Sequence, residues 1–105
     1  MSESEFLTLS DAIFAQIEIA LDDAAFDVDS LRAGNVLEIE FDDGSKVIVN
    51  RHTPNQELWI AAKSGGYHYR LQGSSWINTR GDGEFFADLA QAISTQAGAP
   101  FTFSV

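Results

Sequence analysis

The sequence predicts an α+β fold in which two helices pack on one face of a five- to six-stranded antiparallel sheet. Apolar residues recur at helical spacing near both ends of the chain, and short runs with alternating apolar residues lie between them. The segments between these runs are too short for a crossover helix, so neighbouring strands are expected to be antiparallel. A length of 105 residues predicts one domain, spanning residues 1–105.

The first helix is predicted over residues 4–23. Ser2 and Glu5 have the spacing of a capping box, in which each side chain accepts a hydrogen bond from the other residue's backbone. Apolar residues then recur every three or four positions, which is the pattern of a helix with one buried side. The expected buried stripe comprises Phe6, Leu9, Ile13, Ile17 and Leu21.

The second helix is predicted over residues 83–97. Asp82 is placed to be its N-cap, and Gly98 marks its end. The apolar tail residues Phe101 and Phe103 are expected to pack back on the body. The buried stripe of this helix is expected to comprise Phe85, Phe86, Leu89 and Ile93.

Short strands are predicted between the two helices. Gly44 is placed for positive φ in a turn that joins the first two strands. Residues 24–35 are predicted to form a loop with a short acidic stretch. The predicted strands lie at residues 36–41, 46–50, 57–62, 67–71 and 76–78.

The composition excludes several classes of protein. The chain has no cysteine, which rules out disulfides, thiolate metal sites and cysteine nucleophiles. Its formal net charge of −10 opposes binding to phosphates, so we expect no nucleic-acid partner. No apolar run is long enough for a membrane span or a signal-peptide core, so we expect a cytoplasmic protein without a membrane partner.

The negative charge is concentrated in the first part of the chain. Residues 1–43 hold twelve acidic residues and one basic residue, Arg32, whereas residues 44–105 hold four acidic and five basic residues. Such asymmetry favours a partner of opposite sign, either a cation or a basic protein surface. The alternative is a charged face that serves only solubility.

Three acidic residues of the first helix share one face. Asp11, Glu18 and Asp22 are seven and four residues apart, and Asp23 flanks them at the helix end. Carboxylates in this position repel one another and oppose the helix macrodipole. A face that served only solubility would avoid this end and include lysine, so the placement favours a functional role.

A second acidic pair, Glu38 and Glu40, lies on one side of the strand at 36–41. If that strand is next to the first helix, the two acidic rows join into one acidic ridge. Clustered carboxylates favour hard cations such as iron, manganese, calcium or magnesium. Because a ridge spreads its ligands, we expect shallow, weak and multiple sites.

The sequence contains no recognisable catalytic grouping, and we expect that the protein is not an enzyme. His52 and His68 are the only histidines, and they are far apart in sequence. They lack a partner at metal-ligand spacing, and each is expected to be a surface residue.

Trp59 has two possible orientations in its strand. If Leu58 and Ile60 face the helices, Trp59 stands on the solvent side of the sheet, where an exposed tryptophan near Asn50 and Gln56 would anchor a protein partner. The opposite orientation would make Trp59 a core residue.

Several segments together resemble the frataxin family, in its bacterial branch. Residues 50–61 (NRHTPNQELWIA) resemble the family's Asn–Pro–Gln–Trp motif, and residues 65–70 (GGYHYR) resemble the segment that follows it. Residues 9–23 resemble the acidic first helix. The resemblance extends from Ser4 to Gly98 in the same order.

The resemblance implies an α-β sandwich that binds ferrous or ferric iron weakly and acts with a cysteine desulfurase and scaffold protein in iron–sulfur cluster assembly. Other divalent cations could occupy the same carboxylates, and we expect a monomer in the absence of iron. The implied partner-binding residues are Asn50, Gln56, Trp59, Asp22 and Asp23. The implied iron-binding residues are Glu18, Asp22, Asp23, Asp27, Asp29, Glu38 and Glu40.

Four positions depart from the family pattern. Ile19 and Ala25 stand where bacterial relatives often carry acids, His52 stands where glutamine is frequent, and Arg70 replaces an acid. The alternative function is an acidic interaction module that docks on a basic partner and binds metal only incidentally.

Overall fold

The computed structural model describes residues 1–103, and its first helix, α1, covers Glu3–Asp22. The predicted capping box is confirmed, because the Ser2 hydroxyl accepts from the Glu5 amide at 3.1 Å and the Glu5 carboxylate accepts from the Ser2 amide at 3.0 Å. The predicted place of Leu9 in the buried stripe is wrong, since 42% of this residue is exposed. Leu9 lies on the flank of the stripe, and Phe14 fills the core beside it.

Six antiparallel strands form one sheet, in which each strand pairs with the next along the chain. The turn between the second and third strands has Gly44 at φ 83°, as predicted. In chain order the strands are β1 (Val28–Ala33), β2 (Val36–Phe41), β3 (Lys46–His52), β4 (Glu57–Ala62), β5 (Gly65–Gln72) and β6 (Ser75–Asn78).

The edge strand β1 corrects the prediction that residues 24–35 form a loop. It pairs along its whole length with β2, from Val28 opposite Phe41 to Ala33 opposite Val36. Five of its six residues are exposed, so the strand buries almost no side chain and leaves no apolar alternation in the sequence. Backbone pairing with β2, which periodicity does not encode, fixes this segment as a strand.

The second helix, α2, covers Phe85–Ala97, two residues later than predicted at its start. Its N-cap is Glu84, whose carboxylate accepts from the amides of Phe86 and Ala87, so the prediction of Asp82 as N-cap is wrong. The carbonyl of Gly83 accepts from the amide of Asn78, which holds this segment extended beside β6 and delays the helix. Gly98 ends the helix at φ 68°, as predicted.

The core lies between the two helices and one face of the sheet, as the predicted fold class requires. Buried strand residues alternate with residues on the opposite face, which we call the open face. Phe101 packs edge-on against Phe26, so the tail returns to the body as predicted, and Trp76 is buried. Neither helix in residues 1–103 has the length and apolarity to cross a bilayer. Residues 104–105, the last two of the predicted domain, lie outside the described part.

Candidate functional site

Three of the predicted acidic residues form a helix row at the end of α1: Glu18, Asp22 and Asp23. Asp23 is the C-cap residue, and its amide donates to the carbonyl of Ile19 at 3.3 Å. The last turn of α1 carries no basic residue, so these carboxylates lie at the negative end of the helix macrodipole without local compensation. The charges of the helix row therefore interact unfavourably with the macrodipole of their own helix.

Asp11 does not belong to this free acidic surface. Its carboxylate accepts from Arg51 of β3 and from Arg32 of β1, and the hydrogen bond from Arg51 is the largest influence that holds its pKa below the usual value. Both guanidinium groups also lie over the ring of Phe14. Asp11 thus joins α1 to the sheet, which removes it from the predicted acidic stripe.

Neutralising the helix row should stabilise the protein. We expect Asp22→Asn to raise the melting temperature at low salt, because it relieves about 0.3–1 kcal/mol of unfavourable interaction with the helix macrodipole. Added salt should stabilise the wild type more than this variant. Asp11→Asn is the matched control and should lower the melting temperature, since it weakens the contacts with Arg32 and Arg51. Thermal melts across ionic strength would contradict this assignment if both variants shifted in the same direction.

The other four predicted acidic residues form a sheet row: Asp27, Asp29, Glu38 and Glu40. Asp29 of β1 lies directly opposite Glu40 of β2, and both point to the open face. Asp27, Asp29 and Glu40 line a surface groove of about 520 Å³ together with Asp42, which follows β2. The register of β1 against β2 brings these carboxylates together.

The two acidic rows do not join into the single ridge that was predicted. Asp11 contacts Arg32, and Glu18 and Asp22 share its helix face, so that face of α1 is turned toward β1. Strand β1, predicted as a loop, contacts α1 and pairs with β2, while Asp29, Glu38 and Glu40 project from the sheet face that is turned away from the helices. We call the helix row and the sheet row together the acidic edge. Among residues 1–103 no three metal-ligating side chains converge on one point.

Lys46 lies beside the sheet row. Its ammonium contacts the Glu38 carboxylate at 2.9 Å and it pairs across the strands with Glu40. The hydrogen bond and charge of Glu38 raise the pKa of Lys46 above its usual value. Part of the sheet row is therefore already neutralised by the protein, whereas Asp27 and Asp29 are exposed.

Trp59 lies on the open face near the centre of the sheet, as the first of the two predicted orientations requires. Leu58 and Ile60, its neighbours along β4, are buried under the helices. Its register partner on β3 is Asn50, and its partner on β5 is His68. Gln56 stands beside this region, with its side-chain amide donating to the Met1 carbonyl at 2.7 Å.

His68 is exposed, as predicted, and His52 is half-buried, and the two histidines cover the two faces of the Trp59 ring. The His52 ring stacks on it from β3, with centroids 4.5 Å apart and planes inclined by 8°. The His68 ring stacks from β5, at 4.0 Å and 6°. We call these three rings the indole stack. The register of β3, β4 and β5 assembles it, and sequence distance gave no sign of it.

Glu57 lies buried beside the indole stack and accepts a hydrogen bond from it. Only 5% of this residue is exposed, although it lies on the open face. Its carboxylate accepts from Trp59 Nε1 at 2.9 Å and from Arg70 at 2.7 Å, and His68 Nδ1 lies 3.8 Å away. Burial acts to raise the pKa of Glu57, but the hydrogen bonds from Trp59 and Arg70 together with nearby positive charge outweigh it and lower the pKa. Arg70, noted as a departure from the family, is the ionic partner of this carboxylate.

Comparison with known proteins gives a consistent result over nearly the whole chain. A family model described as a frataxin-like domain matches residues 1–99. The chain is 61% identical over 104 residues to the iron-sulfur cluster assembly protein CyaY of Chromobacterium violaceum, covering 99% of each chain. It is 54% identical over 106 residues to the protein of the same name from Cupriavidus metallidurans, covering 97% of this chain and 96% of that one.

The fold is also similar to solved structures. A frataxin from Psychromonas ingrahamii superposes with a TM-score of 0.92 at 33% identity, over 100% of both chains. Yeast frataxin superposes with a TM-score of 0.60 at 18% identity, over 88% of this chain and 80% of that one, which is a likeness of fold alone.

Proposed function

The chain belongs to the frataxin family, and from this premise we propose that it is an accessory protein of iron–sulfur cluster assembly. In this role it binds ferrous or ferric iron weakly on the acidic edge and regulates or supplies a complex of cysteine desulfurase and scaffold protein in the cytoplasm. We assign it no enzymatic activity of its own. The observation that carries the proposal is its identity, over almost the full length, with bacterial proteins named for this assembly process.

The acidic edge supports weak rather than tight iron binding. Its carboxylates offer the oxygen ligands that hard cations prefer. They are distributed on both sides of β1 and, within residues 1–103, no three converge on one point. An iron ion bound there keeps most of its water ligands, which suits a protein that receives and releases iron rather than storing it.

Iron is expected to bind through carboxylates and not through the histidines. In an anaerobic NMR titration with ferrous iron, the amides around Glu18 and Asp22 should broaden first. The double variant Glu18→Gln, Asp22→Asn should lose this broadening, while the matched double variant His52→Gln, His68→Gln should keep it. Affinity should fall with added salt, because exposed charges are screened beyond about 8–10 Å. Loss of binding in the histidine variant alone would refute the assignment.

The second candidate is an acidic interaction module that binds metal only incidentally. The pairing of Lys46 with Glu38 favours it, since part of the sheet row is already occupied by a protein cation. A metal-free binding assay with the desulfurase separates the two candidates. If chelator leaves both affinity and the effect on desulfurase turnover unchanged, the interaction module is the better description.

A further inference from the structure

The two imidazoles of the indole stack have different surroundings. His68 Nδ1 lies 3.8 Å from the carboxylate of Glu57, so an added proton on His68 meets a negative charge. The Nδ1 atom of His52 is buried from solvent and has no hydrogen-bond partner among residues 1–103. Protonation would therefore place the new charge of His68 near a carboxylate, whereas it would leave the new Nδ1–H of His52 without a partner among these residues.

A neutral His52 fits this environment and a charged one does not. With its proton on Nε2, the neutral ring leaves only a lone pair at the buried Nδ1. The charged ring carries N–H donors on both nitrogens, and a buried donor without an acceptor is costly. Stacking a cation on an indole is favourable, but at a partly exposed site this gain is smaller than the cost of the unpaired donor.

A charged His52 would need a hydrogen-bond acceptor for its Nδ1–H, and the charged groups that face the stack do not provide one. On β4 the charged group is Glu57, which lies opposite His52 across the strands, but its carboxylate accepts from Trp59 and Arg70 and makes no hydrogen bond with His52 Nδ1. On β5 they are His68 and Arg70, which are not acceptors when charged. Asn50 on β3 is uncharged, and its side-chain oxygen makes no hydrogen bond with His52 Nδ1.

We propose that protonation of His52 moves its ring off Trp59 and uncovers one face of the indole, while His68 stays stacked on the other face. A flat, apolar face then becomes available at the centre of the open face, which suits an aromatic or aliphatic side chain of a protein partner. The effect on docking rests on the proposed function, whereas the opening of the stack is a property of the isolated chain.

NMR on the isolated, labelled full chain tests the opening without any partner. Nuclear Overhauser contacts between the ring protons of His52 and Trp59, and between those of His68 and Trp59, are followed from pH 8 to pH 5, where histidine changes charge. We expect the His52–Trp59 contacts to be lost as His52 protonates and the His68–Trp59 contacts to persist. Backbone amide shifts of the buried strands report that the fold is intact.

Two variants make the result specific to His52. In His68→Gln, the His52–Trp59 contacts should still be lost at low pH. In His52→Gln, the ring that leaves the indole is absent, so the chemical shift of the Trp59 indole N–H should no longer report the opening of the stack. Persistence of the His52–Trp59 contacts after His52 protonates, or loss of the His68 contacts instead, would each overturn the proposal. Failure of iron binding or of docking would leave these NMR outcomes unaffected, so the two proposals can be told apart.

Discussion

Replacement of Trp59 by alanine should raise the dissociation rate from the proposed partner, the desulfurase–scaffold complex, about 30-fold, which corresponds to about 2 kcal/mol. The physical reason is the position of the ring, which stands at the centre of the open face between His52 and His68. Its removal leaves both imidazoles without the ring on which they stack and takes away an aromatic side chain at the centre of that face. Surface plasmon resonance on the immobilised complex measures the two rates separately.

Trp59→Phe is the matched control for this substitution. It keeps an aromatic ring between the imidazoles but removes the N–H that donates to Glu57. We expect a smaller rise in the dissociation rate than with alanine, because most of the stacked surface remains.

The acidic edge should act mainly on the association rate. Reversing charge with Asp22→Lys and Asp23→Lys is expected to lower the association rate, since long-range attraction steers the encounter, and to weaken its dependence on salt. The dissociation rate should change little. If Trp59→Ala altered mainly association, or if the charge reversals altered mainly dissociation, this division between anchor and steering surface would be wrong.

The sequence was a good guide to elements whose side chains are buried on one side. The capping box of Ser2 and Glu5 and the apolar repeat after it placed α1 within one residue at each end. It was a poor guide to β1, because an edge strand is held by backbone bonds to β2 and needs few buried side chains. The start of α2 was missed for a similar reason. The backbone hydrogen bond from the Asn78 amide to the Gly83 carbonyl keeps residue 83 out of the helix, and apolar periodicity does not reveal it.

The site was predictable where it depends on spacing and unpredictable where it depends on register. Periodicity placed Glu18 and Asp22 on one helix face, and alternation left two orientations open for Trp59. Nothing in the spacing of His52 and His68 indicated that they cover the same ring. That arrangement follows only when β3, β4 and β5 are aligned, which sets Asn50 and His68 opposite Trp59. The same register sets Arg70 opposite Glu57 and turns a departure from the family pattern into an ion pair.

Arg70→Ala is expected to lower the free energy of unfolding by about 1.5–3 kcal/mol at pH 7, the range for a hydrogen bond to a charged group. The lower end applies, because 61% of the Arg70 side chain is exposed and only the Glu57 carboxylate is buried. The substitution leaves that carboxylate with the Trp59 N–H as its remaining close donor. Arg80→Ala, which removes an exposed arginine just beyond β6, is the matched control and should have little effect.

The pH dependence of this loss identifies Glu57 as its cause. Because the pKa of Glu57 is lower in the folded than in the unfolded protein, its contribution to stability is present above the unfolded value and is lost as pH falls through the folded value. Without Arg70 the burial of Glu57 acts against a weaker set of stabilising contacts, so its folded pKa rises and less stability is lost in acid. The wild type and Arg70→Ala should therefore differ most at neutral pH and converge below about pH 4, near the ordinary value for glutamate. Urea unfolding at pH 7 and in this acidic range measures the difference, and a gap that stayed constant across pH would show that Arg70 stabilises the sheet by packing rather than through Glu57.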